Sequence, residues 1–365
     1  MTLEGIQERI RKGNRVTGAE GLFLLRNAEL LELGALANEV RFEKNPRRAV
    51  TYLLDTNPNY SNVCNIDCIF CAFYRHSGEE GEYTYTVDHM IQKFKEAAAA
   101  GATTVLLQGG VHPSLPFEYY VEMVRRAVEE VPQIHPHFYS TSEIIGMSSI
   151  SGFSIREVLQ KLWDAGLRSL PGGGAEILSD RVKKKISSKK GTSADWLNVM
   201  REAHAIGYKS TATMMYGHLE TDEDIIEHLE SIRNLQDETG GFTAFVPWSF
   251  KPGNTPLEKI IPQYASPTRY LQMIALSRIF LDNFPHIQAS WFSEGKKTGQ
   301  IALHFGADDF GGTLMEENVH AAANFVNKTN TAECIQLIHE SGFAAAQRTT
   351  LYDILGIVEP AEAVL

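Results

Sequence analysis

The sequence predicts an α/β fold, specifically a (β/α)8 barrel of the TIM type with helical additions at its N- and C-terminal ends. Three observations predict it. Short apolar runs alternate with amphipathic helical patterns along most of the chain, as barrel units do. Eight such runs are present, enough to close a barrel. The first run is followed by a cysteine loop, whereas an open dinucleotide-binding sheet would carry GxGxxG there. Length agrees: 365 residues suit one such barrel as well as two or three smaller domains.

The first fifty residues read as a helical cap. Leu22, Leu25, Leu30, Leu33 and Leu36 recur at three- and four-residue spacing, the mark of an amphipathic helix. An N-terminal helical extension is therefore expected over 1–50. Strands are expected at TYLLDTN (51–57), TTVLLQG (103–109), HPHFYST (135–141), LRSLPGG (167–173), KSTATMM (209–215), FTAFVPW (242–248), HIQASWF (286–292) and QIALHFG (300–306). Between them, helices are expected at 88–100, 117–131, 154–166 and 193–207, then over DEDIIEHLESIRNLQDETG and SPTRYLQMIALSRIFLDNF. Ser, Thr or Asp precedes several of these, supplying an N-cap. Gly101, Gly166, Gly207 and Gly240 stand where helices should stop. The barrel is expected over 51–310. A helical closure over 311–365, with helices at LMEENVHAAA and NTAECIQLIHESG, is expected to belong to the same domain.

Composition excludes some functions. Lys and Arg number 34 against 45 Asp and Glu, and the net charge of −11 argues against a broad nucleic-acid surface. No stretch approaches the roughly 18 apolar residues of a membrane span. The opening MTLEGIQERIRKG has no apolar signal-peptide core, so a cytoplasmic location is expected. Four cysteines in so long a chain make no disulfide scaffold.

Their placement is more informative. Cys64, Cys68 and Cys71 form CxxxCxxC directly after the first strand, where barrel active sites gather. Three soft thiolates suit Zn, Cu(I) or an iron–sulfur cluster. Structural zinc normally takes a fourth protein ligand, and the nearest candidate is His76. A cubane held by three cysteines would instead leave one iron open. Cys334, in TAECIQLIHESG, reads as a buried helical thiol.

The strand-top loops supply further candidates. His112 follows the second strand and His218 the fifth; either is placed to orient a substrate or take a proton. Glu143 and Glu176 follow the third and fourth strands, where a carboxylate either contacts a ligand or caps a helix. Trp248 and Phe250 would pack an aromatic substrate, and Lys251 would pair with a carboxylate. Asp308 and Asp309 would accept substrate hydroxyls or cap their loop. The lysine-rich SDRVKKKISSKKG reads as a solvated helix end or as a clamp on an anionic group.

CxxxCxxC after strand one resembles the signature of the radical S-adenosylmethionine (SAM) superfamily. The resemblance implies one [4Fe–4S] cluster held by Cys64, Cys68 and Cys71, with its open iron binding the amino and carboxylate groups of SAM. It also implies that the reduced cluster splits SAM into methionine and a 5′-deoxyadenosyl radical. Phe70 would then shape the adenine side of the pocket, while Gly109 and Gly110 in LLQGGVHP would approach the methionine ammonium. Tyr60 and Tyr74 are expected to pack the pocket.

A more specific resemblance is carried by CNIDCIFCAFYR, LLQGGVHP, SLPGGGAEILSDRV, AHAIGYKSTATMMYGHLET, PWSFKPGNTPL and HFGADDFGGTLMEENV, spanning about residues 20–355. Together they resemble the cyclic dehypoxanthinylfutalosine synthase family of the futalosine route to menaquinone. Aminofutalosine synthase and the deazaflavin (FO) synthases share single motifs; AFYR combined with PGGGAEIL favours the cyclase. The chain departs from the family pattern at FYSTSEI, where FSPPEI is usual, and at Lys251, where glutamine is usual. The implied reaction removes hydrogen from C4′ of dehypoxanthinylfutalosine, joins C4′ to the benzoate ring and restores aromaticity by loss of a proton and an electron. An external low-potential electron donor is implied. The substrate carboxylate is expected to meet Lys251, Arg75 or Arg168. Oligomeric state is not legible.

Overall fold

The computed structural model describes residues 1–360. Its strands are β1 (Ala49–Leu53), β2 (Asp55–Thr56), β3 (Thr104–Leu107), β4 (His135–Phe138), β5 (Ser169–Leu170), β6 (Lys209–Tyr216), β7 (Phe242–Ser249), β8 (His286–Ile287), β9 (Asp309–Gly312), β10 (Ala344–Arg348) and β11 (Ile354–Val358). β2 to β8 pair in sequence order, all in parallel. A bridge between Gln288 and Asp309 joins β8 to β9, and β9 pairs in parallel with β1. Since β1 and β2 are one strand interrupted at Leu54, the ring closes on itself with eight positions.

The helices are α1 (Leu3–Arg11), α2 (Gly18–Asn27), α3 (Leu30–Lys44), α4 (Val87–Ala99), α5 (Phe117–Glu130), α6 (Thr141–Ser151), α7 (Ile155–Asp164), α8 (Asp180–Ile186), α9 (Ser193–Ile206), α10 (Asp222–Thr239), α11 (Pro267–Phe280), α12 (Trp291–Glu294), α13 (Lys296–Ala302), α14 (Val319–Ala322) and α15 (Thr331–Glu340). Local chemistry sets their ends. Thr17, Ser154, Thr192 and Thr221 each form a capping box with an acidic residue three positions on. After α10, Gly240 takes the left-handed conformation (φ 59°) that closes a helix at little steric cost. None of the helices is long and apolar enough to cross a membrane among the described residues.

The N-terminal helices lie close against the barrel's outer ring. A Cβ on Gly21 of α2 would stand 2.7 Å from the Phe280 ring of α11, and one on Gly34 of α3 would stand 2.5 Å from Phe305. Both glycines therefore admit an aromatic side chain where any other residue would hold the helix away.

Two sequence expectations are corrected. QIALHFG was expected as the eighth strand, but its first three residues lie in α13 and the eighth strand is β9. A short apolar run suits a buried helix as well as a strand, and Gln300 fixes the helix by donating to the Leu337 carbonyl at 2.9 Å. The C-terminal segment was expected to be purely helical, yet it carries β10 and β11 besides α14 and α15. β10 pairs in parallel with β1, on the edge that β9 leaves free, and β11 runs antiparallel to β10. The AAAQR run of β10 is too poor in β-branched residues to signal a strand.

Candidate active site

The loop that follows β2 folds back on itself and against two neighbours. Cys64 N donates to the Arg75 carbonyl at 3.0 Å, and Arg75 N to the Asn62 carbonyl at 2.8 Å. Asn65 N donates to the carbonyl of Val111, whose own N–H reaches Cys64 Sγ at 3.3 Å. Ile69 N donates to the Ile186 carbonyl at the end of α8. These bonds hold Cys64, Cys68 and Cys71 in one loop whose apolar setting raises their thiol pKa values where a shift is resolved: burial pushes Cys68 up to about 12 and raises Cys71 as well.

Lys190 opposes that trend. Its ammonium donates to Glu176 Oε1 at 2.7 Å and also faces the Cys68 and Cys71 thiols. Phe70 lies under the same ammonium, 5.3 Å from ring centre to Nζ. The lysine-rich segment thus sends two of its lysines inward, Lys190 and the buried Lys183, which donates to the Gly174 and Ala175 carbonyls, while Lys184, Lys185 and Lys189 stay exposed.

No three His, Cys, Asp or Glu side chains converge on one point among the described residues, as a single metal ion would require. A cubane puts each thiolate on a different iron, so three cysteines spread around one loop suit a cluster where they do not suit zinc. Orphan thiols, amide donors on sulfur and one buried ammonium are the surroundings such an anionic group needs.

Beside this loop a cavity of about 350 Å³ opens into the barrel. Phe70, Cys71, Gly109, Glu176 and Lys190 line one part of it. Trp248, Phe292 and His320 give it an aromatic wall. Toward the strand N-termini it is bounded by Asp55, Thr104, His137, Arg348, Thr350 and Tyr352. Its size falls in the range of small-molecule sites.

The glycines have packing duties of their own. A Cβ on Gly109 would enter the Tyr60 ring at 2.6 Å, and one on Gly110 would stand 2.1 Å from the Val63 carbonyl oxygen. Gly109 lines the cavity; Gly110 instead lets the cysteine loop close over β3's end. Glu143 holds this region together. It accepts hydrogen bonds from Gly109 N, Tyr60 Oη, Ser140 N and Ser140 Oγ at 2.7–3.1 Å. Burial nevertheless pushes its pKa up to about 7. It caps α6 and does not line the cavity, which corrects its expected ligand contact.

Several other expected contacts fall elsewhere. His112 Nδ1 accepts from Ser114 N and Leu115 N, bracing its own loop. His218 is buried, with Nε2 donating to the Met215 carbonyl at 2.9 Å and Nδ1 3.3 Å from Glu220. Lys251 is buried against Ser249 Oγ at 2.6 Å, with its ammonium 4.4 Å from the centre of Phe325. Asp308 pairs with Arg278 and accepts from His286 and Asn45, each at 2.7 Å. Asp309 pairs with Arg348 and accepts from Thr51 Oγ1 and Gly311 N. These five residues lie outside the cavity lining. Arg75 and Arg168 also bond nearby carbonyls, and Arg168 stacks on Trp163. Phe250 is core, Tyr60 packs among Tyr119, Tyr120 and Tyr139, and Tyr74 meets His76 edge-on. Cys334 is fully buried.

Sequence reasoning missed Arg348, Tyr352, His137 and His320 as cavity residues. Arg348 closes β10, the strand that its alanines concealed, and Tyr352 lies in the turn after it.

Known proteins place this architecture. The Radical SAM superfamily model matches residues 59–232, and the CofH/MqnC C-terminal region model matches residues 239–361. A cyclic dehypoxanthine futalosine synthase from Halalkalibacterium halodurans is 39% identical over 100% of this chain and 98% of its own. A 5-amino-6-(D-ribitylamino)uracil–L-tyrosine 4-hydroxyphenyl transferase from Methanosarcina barkeri is 42% identical over 96% and 93%. An aminodeoxyfutalosine synthase from Thermus thermophilus is 37% identical over 98% and 97%. Among solved structures, methylornithine synthase superposes with a TM-score of 0.72 at 19% identity, covering 92% of this chain and 96% of that one; it shows the fold alone. A chain with this barrel, this cysteine loop and both halves matched end to end belongs to the radical SAM enzymes, which use one [4Fe–4S] cluster and S-adenosylmethionine, in the family that includes the cyclic dehypoxanthine futalosine synthases.

Proposed function

We propose that the protein converts dehypoxanthinylfutalosine to its cyclic form, an oxidative carbon–carbon bond closure in menaquinone biosynthesis. The observation that carries this reading is the cavity beside the cysteine loop. It puts the Cys71 and Phe70 end of the cysteine loop and the aromatic wall of Trp248 and Phe292 in one enclosure, as a substrate joining a sugar to an aryl ring would need. The combination of AFYR with PGGGAEIL supports it over the sibling activities.

In this reading Cys64, Cys68 and Cys71 hold the cluster. When bound and reduced, the cluster with SAM supplies a 5′-deoxyadenosyl radical. Phe70 borders the adenine side, and Gly109 leaves room for the methionine part. Glu176, whose second oxygen is free of protein partners among the described residues, faces its amino group. Trp248 and Phe292 pack the benzoate ring, fixing it against the sugar carbon that it joins. Apolar walls keep solvent from the reacting carbon, and positioning is the chain's main contribution. An external low-potential electron donor serves the reaction, which takes place in the cytoplasm.

Anaerobic turnover of reconstituted protein with dehypoxanthinylfutalosine and SAM, followed by mass spectrometry, tests the proposal. A product two hydrogens lighter than substrate, together with 5′-deoxyadenosine, is expected. An adduct formed from enolpyruvyl benzoate and SAM, with dehypoxanthinylfutalosine untouched, would assign aminofutalosine synthesis instead.

A further inference from the structure

Two side chains of permanent positive charge line the cavity among the described residues, Lys190 and Arg348. Lys190 is committed to Glu176 and the cysteine loop. Arg348 lies at the other end. It closes β10 beside the start of β9, and its neighbours Thr350 and Tyr352 reach the beginnings of β3 and β8. Thr350 Oγ1 is 2.6 Å from Thr104 Oγ1, and the Tyr352 ring stacks on His286 at 3.8 Å. These are N-terminal ends of barrel strands, whereas the cysteine loop stands at a C-terminal end.

The guanidinium is 4% exposed and only partly engaged. Nε donates to Asp309, and Nη1 donates to the Thr349 carbonyl at 3.1 Å. The Tyr352 ring covers one face, 4.0 Å from Cζ. Among the described residues Nη2 has no acceptor, and Arg348 lines the cavity. The buried Tyr352 hydroxyl also has no hydrogen-bond partner among the described residues. Asp55 is the other acid facing this region; burial pushes its pKa up to about 6, while the charge of Arg348 pulls it down.

We propose that Arg348 anchors the carboxylate of the bound substrate at the end of the cavity remote from the cysteine loop. The inference rests on the proposed function, whose substrate carries a benzoate. A guanidinium with a free N–H is the side chain best matched to a carboxylate, and in a dry cavity that bond orients as well as binds. The carboxylate held at Arg348 points the aryl ring along the Trp248 wall and the sugar toward the cysteine loop. Arg348 is thus a positioning and specificity residue.

The test separates binding from turnover. Reconstituted enzyme with SAM and no reductant is titrated with dehypoxanthinylfutalosine and with its benzamide analogue. Wild type is expected to bind the carboxylate about 10- to 100-fold more tightly than the amide. R348Q should lose that preference while keeping its affinity for the amide and for SAM, and R348K should restore part of it. Equal binding of acid and amide by wild type, or an undiminished preference in R348Q, overturns the anchor. Should R348Q fail to fold, the wild-type comparison decides alone. Reduction then tests the reaction: a clear preference for the acid without cyclisation sustains the anchor and sinks the proposed activity. Cyclisation of acid and amide with equal affinity does the reverse.

Discussion

Lys190 Nζ stands 2.7 Å from Glu176 Oε1 and shares its charge with the thiols of Cys68 and Cys71. Burial disfavours an ammonium there, yet Glu176 and Cys68 raise its pKa above the ordinary lysine value. The second oxygen of Glu176 has no protein partner. One buried cation therefore balances an acid on the cavity wall and the loop expected to carry an anionic cluster. Lys190→Met should leave Glu176 without its ion-pair partner, a loss on the order of 3–5 kcal/mol for a broken buried pair. Thermal melting should fall, and iron and sulfide content after reconstitution should drop together. Unchanged iron content would detach Lys190 from the cluster loop.

Cys68 is the most enclosed of the three clustered thiols. Cys68→Ala should reduce reductive SAM cleavage to background, measured as 5′-deoxyadenosine released. Cleavage at the wild-type rate would remove Cys68 from the ligand set.

Gly110 sits where a side chain would meet the Val63 carbonyl oxygen at 2.1 Å and Cys64 Cβ at 3.0 Å. Gly110→Ala must push the cysteine loop away from β3, at about 1–3 kcal/mol for overpacking. A lower melting temperature with poorer cluster incorporation is expected. Normal values for both would show that the loop yields freely.

Glu143 predicts a pH dependence. Its pKa rises from 4.5 to about 7 on folding, chiefly through burial. Between those values the folded state holds a proton that the unfolded state has released, so ionisation costs stability as pH rises. Stability contributed at this site should therefore be greatest below about pH 4.5, fall through pH 7 and level off beyond. Denaturant titrations of wild type and Glu143→Gln should show the difference shifting against wild type by about 3 kcal/mol across that window. A difference flat in pH, or one of opposite slope, would refute this.

Asp308 is buried beside Arg278 and away from the cavity. Asp308→Asn should cost about 3–5 kcal/mol of stability, because Arg278 keeps its charge with no counterion. The KM for substrate, measured well below the melting temperature, should stay within about twofold. A large rise in KM with normal stability would return Asp308 to the binding site.

What was legible in the sequence was whatever rests on local patterning. Helices α4, α9 and α10 begin and end within a residue or two of their expected positions, because Thr caps and terminal glycines are local signals. The cysteine loop was legible because its spacing is itself the chemistry. The cavity's far end was not, since it is assembled from β2, β3, β4, β10 and the turn after β10, segments far apart in the chain. His218 and Lys251 show the converse limit. Each stands beside a strand top in sequence, yet the way its side chain turns is decided by tertiary partners such as Met215, Glu220 and Phe325.

The pairing of β1 with β10 has a temporal consequence. Thr51 lies opposite Ala346, so a strand made early during synthesis finds one of its partners only after the whole barrel sequence between them has been made. Contacts between such distant residues form slowly, since the whole intervening loop must first be ordered. The cysteine loop and its glycine-rich neighbours are translated long before Arg348 and Tyr352. A ribosome stalled ahead of residue 344 would expose a chain that has its cluster ligands but no far wall to its cavity.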